Sequence, residues 1–106
     1  MSGLCVEKHP SILNALDQLQ SRLGRHAFNI VDHWEPDLCA IGIASPRNPQ
    51  VLVYVSCYGE LPDRFNFELE LPPLPGSDSV YLVAGRDSDV SFDELASVIA
   101  QHLQRA

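Results

Sequence analysis

The stretch Val51-Leu52-Val53-Tyr54-Val55-Ser56-Cys57-Tyr58 is the most strand-like segment of the chain, and the rest of the sequence is interpreted around it. Four of its first five residues are β-branched or aromatic, and none of the eight is charged. Such residues suit a pleated surface that is at least half buried. Turn-forming residues at 45–50 and 59–63 bound the segment on both sides. It is therefore predicted to be the central strand of an antiparallel sheet.

Four further strands are predicted around this one, at 27–34, 38–44, 65–71 and 80–84. In the segment 65–71, phenylalanine and leucine alternate with asparagine and glutamate. This alternation is typical of a strand with one packed face and one face in water. Matching of bulky side chains between neighbouring strands predicts Val53 opposite Ile43, and the same register places Tyr54 opposite Gly42. The pattern thus predicts which side chains share each face of the sheet.

An amphipathic helix is predicted before the strands, at 10–23. Its apolar residues recur at helical spacing, and Pro10 suits a first turn because a proline has no N–H to leave unpaired there. Gly24 is expected to end the helix in the αL conformation.

A second helix is predicted at 92–104, after a loop at 85–89. Ser91 and Glu94 have the spacing of a capping box, which marks the start of a helix. His102 is expected to complement the negative end of the helix dipole. The order α-β-β-β-β-β-α therefore predicts one α+β domain over residues 1–106, with a five-stranded, mainly antiparallel sheet and both helices on one face.

The amino-acid composition of the chain limits the classes of molecule that it is expected to bind. Fourteen acidic residues against seven basic ones give a formal net charge of −7. Nucleic acids and anionic membranes both attract clustered lysine and arginine, so neither is the expected partner, whereas a basic protein is compatible with this charge. The first eight residues lack the apolar core of a signal peptide, and the three cysteines form no C-x-x-C pair. A cytoplasmic location is expected.

One face of the predicted sheet has no helix left to cover it. It carries Tyr54, Tyr58, Glu68 and Glu70, with Trp34 at its rim. Tyrosines and charged groups of this kind suit a contact with another protein, and an ordinary solvated face is the alternative. The predicted binding residues are these five.

An enzyme is the competing interpretation. The segment Asp32-His33-Trp34-Glu35 concentrates polar groups, and His33 is the best-placed base for a nucleophilic Cys57. No metal-ligand spacing and no cofactor motif accompanies them, so no metal and no cofactor is predicted. A small hydrolase-type or metal-assisted enzyme therefore remains an alternative.

The leading hypothesis is a small binding module. In size, acidity and helix–sheet–helix plan, the chain loosely resembles small bacterial immunity or chaperone-type proteins that neutralise a basic partner. The resemblance rests on shape and charge and on no motif, so it assigns no residues. A homodimer through an exposed face is the other partner that the sequence leaves open.

Overall fold

The computed structural model describes residues 8–32 and 36–106, and these residues form two helices and five strands. The helices are α1 (Pro10–Leu23) and α2 (Phe92–Leu103), and the strands are β1 (Asn29–Val31), β2 (Ala40–Ala44), β3 (Leu52–Ser56), β4 (Arg64–Leu71) and β5 (Leu82–Ser91). The strands form one antiparallel sheet in the order β1-β2-β3-β4-β5, between α1 and α2 in the chain. The α+β prediction is confirmed.

Both helices pack on the same face of the sheet. The core joins Leu16 and Leu19 of α1 to Leu95 and Ile99 of α2, each at most 1% exposed. The strand residues in this core are Ile41, Ile43, Val53, Val55 and Phe65. Burying an aliphatic side chain of this size stabilises a fold by about 1.5–3 kcal/mol, so this layer is the main source of stability.

The predicted register in the centre of the sheet is confirmed. Val53 lies opposite Ile43, and Tyr54 lies opposite Gly42. The ladder continues beyond β2 and β3, where the Cys57 N–H donates to the Cys39 carbonyl over 2.9 Å. Cys57 is buried, but Cys39 is only partly so, because it lies in the turn before β2. The central strand thus orders the sheet as expected.

The first strand is shorter than predicted. Of the predicted segment 27–34, only Asn29–Val31 pairs with β2, and residues 33 and 34 lie outside the described part of the chain. Phe28 precedes the strand and is 4% exposed, because it packs into the core rather than joining the ladder.

The fifth strand is longer than predicted. It runs from Leu82 to Ser91, so the predicted loop at 85–89 lies within it. Pairing with β4 holds this segment extended, and two register shifts accommodate its irregular residues. Near one shift, Asp89 has a φ of 54°, and its carboxylate accepts from Arg64 Nε at 2.8 Å.

The predicted caps and bounds of the helices are largely confirmed. The Ser91 hydroxyl accepts from the Glu94 N–H at 3.2 Å, as a capping residue does. Gly24 ends α1 with φ 103° and ψ 150°, which is a glycine conformation other than αL. Neither helix of the described residues is long and apolar enough to cross a membrane.

His102 is placed differently from the prediction. It is 2% exposed, because it follows Leu95 and Ile99 on the stripe of α2 that faces the sheet. Its Nε2–H donates to the Glu70 carbonyl at 2.8 Å, and burial lowers its pKa below the ordinary value of 6.5. The side chain is therefore neutral near pH 7 and does not supply a positive charge to the helix end.

Candidate functional site

The face opposite the helices brings together four of the predicted binding residues. Tyr54 of β3 lies directly across from Glu68 of β4, and Glu70 lies one position further along the same face of β4. Tyr58 follows β3 and is 76% exposed. Together with Tyr81, which directly precedes β5, these residues form the tyrosine–glutamate face.

Tyr81 belongs to this face and was not among the predicted binding residues. Val83 lies opposite Glu70, so Tyr81, two residues earlier and just before β5, lies on the same side of the sheet. The negative charges of Glu68 and Glu70 raise the pKa of its phenol, and a hydrogen bond to Glu68 acts in the same direction. The alternation of Tyr81 and Val83 in the sequence was the available signal, since Val83 pairs with Glu70.

The guanidinium of Arg86 partly offsets the negative charge at one side of the tyrosine–glutamate face. Arg86 Nη2 lies 3.9 Å from Glu68 Oε2, and the Arg86 side chain is 72% exposed. An ion pair this long and this open to water contributes little to stability. The Glu68 side chain, at 25% exposure, is more confined than its partner. The Glu68 carboxylate is therefore partly shielded from water but remains accessible to a partner.

An open depression of about 440 Å³ adjoins the face, and Tyr54 and Tyr58 contribute to its wall. Two hydrogen bonds fix the chain beside it. The Tyr58 N–H donates to the Ser56 hydroxyl at 3.0 Å, and the Asn66 side-chain amide donates to the Tyr58 carbonyl at 3.2 Å. The backbone that carries the most exposed tyrosine is therefore tied to β4.

The exposed part of this sheet face is narrower than the sequence indicates. Leu52 and Ser56 share the face of Tyr54 on β3, yet each is only 4% exposed. They lie on the central strand, where β2 and β4 flank them on both sides. On β2, the short side chains of Ala40 and Ala44 are also buried. The accessible groups are therefore concentrated towards β4 and β5.

Asp32, a residue of the enzyme hypothesis, is bound in an ion pair. Its Oδ1 lies 2.9 Å from Nζ of Lys8, whose side chain is 0% exposed. Lys8 also donates to the Asp37 carbonyl at 2.6 Å. Breaking a buried pair leaves an uncompensated charge and costs about 3–5 kcal/mol. The pair ties the chain before α1 to the region after β1, which sequence patterns did not reveal.

Cys57, the other residue of that hypothesis, is held as a thiol. Burial, together with a smaller effect of a hydrogen bond with the Cys39 side chain, raises its pKa to about 11. A nucleophilic cysteine instead needs a lowered pKa and access to solvent.

His33, Trp34 and Glu35 lie outside the described residues, so the enzyme alternative stays a prediction in that region. Within 8–32 and 36–106, no group of three or more histidine, cysteine, aspartate or glutamate side chains is arranged to hold a metal ion. The predicted position of Trp34 at the rim of the binding face also remains a prediction.

Comparisons of the chain with protein-family models, with curated proteins and with solved structures found no significant match.

Proposed function

We propose that this chain is a binding module that holds a basic protein on its tyrosine–glutamate face. The observation that carries the proposal is the position of Tyr81, whose phenol lies within the field of both Glu68 and Glu70. A surface that gathers aromatic rings around two carboxylates offers both apolar area and negative charge to one partner.

The chemistry of the face favours lysine or arginine on the partner. A carboxylate accepts charge-assisted hydrogen bonds from a guanidinium, and a neighbouring tyrosine ring attracts the same cation through its π face. Tyr81, which is 40% exposed and lies near Glu68 and Glu70, supplies such a ring. Tyrosine is also enriched at protein interfaces, because it contributes a large contact area at a low entropic cost.

The net charge of −7 supports the same kind of partner. Complementary charge accelerates the diffusional encounter of two proteins and weakens as salt is added. The finer proposal is that the module neutralises its partner, as an immunity-like or chaperone-like protein would, in the cytoplasm. Cys39 and Cys57 are adjacent and unbridged, which suits a reducing compartment.

A pull-down from bacterial lysate with matched variants tests the proposal. We expect the intact chain to recover a basic protein that is released by salt and that binds again when purified. The double variant Glu68→Gln/Glu70→Gln should lose this binding. The control Asp17→Asn/Asp78→Asn changes the net charge equally at two exposed positions, on α1 and in the β4–β5 connection, and should retain it.

Equal binding by the two double variants would show that total charge matters rather than this face. A homodimer is the other outcome to be distinguished. If the tyrosine–glutamate face binds a basic partner, sedimentation measurements on the chain alone at several concentrations should show a monomer. Self-association that Tyr58→Ala abolishes would assign the face to a second copy of the chain instead.

A further inference from the structure

A second cavity lies where both helices end, away from the tyrosine–glutamate face. It is a partly open cavity of about 410 Å³, a volume within the range of small-molecule sites. Leu23, Ala27, Ala100 and Leu103 form its apolar wall, while His26 and Arg47 are among its polar lining. The two alanines leave room that larger side chains would fill. We call this space the helix-end cavity.

The charge around this cavity is opposite to that of the molecule. Four of the seven basic side chains lie beside carboxylates in the described residues: Lys8, Arg22, Arg64 and Arg86. The other three are Arg25, Arg47 and Arg105, for which the described residues provide no ion pair. Of these three, Arg47 lines the helix-end cavity, whose lining among the described residues contains no carboxylate, whereas Arg105 lines a separate cavity beside β4 and β5. Within this part of the chain, the helix-end cavity therefore presents a cation without an acidic partner, in a protein whose net charge is −7.

The backbone of Arg47 is fixed in place. Its N–H donates to the Ser45 hydroxyl at 3.1 Å, and Ser45 is 1% exposed. The Ser45 N–H in turn donates to the Val51 carbonyl at 2.9 Å, which closes the turn between β2 and β3. The guanidinium therefore extends from an ordered turn next to an apolar wall.

We propose that the helix-end cavity binds a small amphipathic organic anion, with a carboxylate or similar head group on a short hydrocarbon body. The hydrocarbon would replace water against Ala27, Ala100 and Leu103. The head group would pair with Arg47 at the mouth of the cavity. Apolar walls with few polar groups that fix orientation are the usual composition of small-molecule sites.

A competing explanation is that these arginines only offset the negative ends of the two helix dipoles. It applies to Arg25 and Arg105, which follow α1 and α2, but Arg47 lies in a strand–strand turn. The dipole explanation therefore gives Arg47 no role, and it predicts that Arg47→Gln leaves the binding of an amphipathic anion such as octanoate unchanged.

Titration of the full-length protein with octanoate, followed by amide chemical shifts, tests the proposal. We expect saturable shifts at Ala27, Ala100 and Leu103. Octylammonium and octanol have the same number of carbon atoms as octanoate but no negative charge, and both should bind more weakly. Equal shifts with octylammonium, or octanoate shifts spread over the exposed 74–83 segment instead, would overturn the proposal.

Two variants locate the site. Arg47→Gln should weaken octanoate binding by about fivefold, the size of one exposed charge contact, while leaving octanol binding unchanged. Ala100→Leu should fill the cavity and abolish binding of both probes, with a dispersed amide spectrum showing that it folds. Arg86→Gln, which removes an arginine elsewhere, is the control and should bind octanoate like the parent chain. If Arg86→Gln weakened octanoate binding as much as Arg47→Gln does, the effect would be due to the net charge of the protein, and the assignment of the head group to Arg47 would be contradicted.

Discussion

At the scale of single residues, the buried His102 gives the protein a pH-dependent stability. Burial lowers its pKa in the folded state, mainly through desolvation and further through the charge of Arg105. The unfolded chain therefore takes up this proton more readily as the pH falls below the ordinary value of 6.5. We expect the free energy of unfolding to decrease from pH 7.5 to pH 5.5, as measured by chemical denaturation.

The variant His102→Gln separates this residue from other groups that titrate in the same interval. Its amide retains a donor for the Glu70 carbonyl but takes up no proton in this pH range. The variant should be less stable at pH 7.5 and should lose less stability on acidification than the parent chain. An identical decline in the two proteins would exclude His102 as the cause.

Cys57 yields a second prediction at this scale. Its pKa of about 11 leaves little thiolate at pH 8, and its side chain is 7% exposed. A maleimide reagent applied to the native protein should modify Cys39 before Cys57, as mapped by peptide mass spectrometry. Unfolding in guanidinium should make both reactive. Rapid modification of Cys57 in the folded protein would contradict its burial and favour the nucleophile hypothesis.

Lys8 and His102 are both buried, although neither was predicted to be, and the reasons differ. Each is a polar residue near the end of a helix, where patterns predict exposure. His102 continues the buried spacing of Leu95 and Ile99, which a purely periodic interpretation would have detected. Lys8 belongs to no periodic pattern. Its burial depends on Asp32 and on the Asp37 carbonyl, distant contacts that only the folded chain defines.

At the scale of elements, the junction of β5 and α2 depends on one side chain. Ser91 is the last residue of the strand, and its hydroxyl caps the helix through the Glu94 N–H. Ser91→Ala should lower the free energy of unfolding by about 1 kcal/mol, the usual cost of losing such a cap. Ser97→Ala, at an exposed position within α2, is the control and should be neutral or slightly stabilising. Equal effects at the two positions would contradict the capping role.

Among the helices and strands, β5 differs most from the prediction, because its length was not expected. Gly85, Asp87 and Asp89 are turn-forming residues by propensity. Pairing with β4 overrides this preference and keeps the segment extended. The β4–β5 pairing shifts register at Phe65/Phe67 and at Leu69/Glu70, so the sequence of β5 lacks the regular alternation of apolar and polar residues that would identify a strand. The same error placed Arg86 in a loop rather than beside Glu68.

At the scale of the whole molecule, the alternation in β4 was enough to predict the two faces. Apolar and polar residues alternate in β4 without interruption up to Leu71, and this pattern predicted how β4 pairs with β3. The predicted pairing correctly placed Tyr54 on the same face as Glu68 and Glu70. The contribution of Tyr81 required the β4–β5 pairing, and the helix-end cavity required the packing of both helix ends. The remaining binding prediction, Trp34, lies outside the described residues.

A substitution on the core face of the sheet should reduce stability, whereas one on the opposite face should reduce binding. One substitution on β3 and one on β4 test this expectation. Val55 is 2% exposed beneath the helices, and Val55→Ala should lower the free energy of unfolding by about 2 kcal/mol through the cavity it leaves. Glu68 lies on the opposite face, so Glu68→Gln should change that free energy by less than about 0.5 kcal/mol. For binding of the basic partner, the order should reverse, with Glu68→Gln impaired and Val55→Ala intact under conditions where it is folded. If chemical denaturation shows Glu68→Gln to be as damaging as Val55→Ala, the face has a structural role, and the proposal that it is reserved for a partner fails.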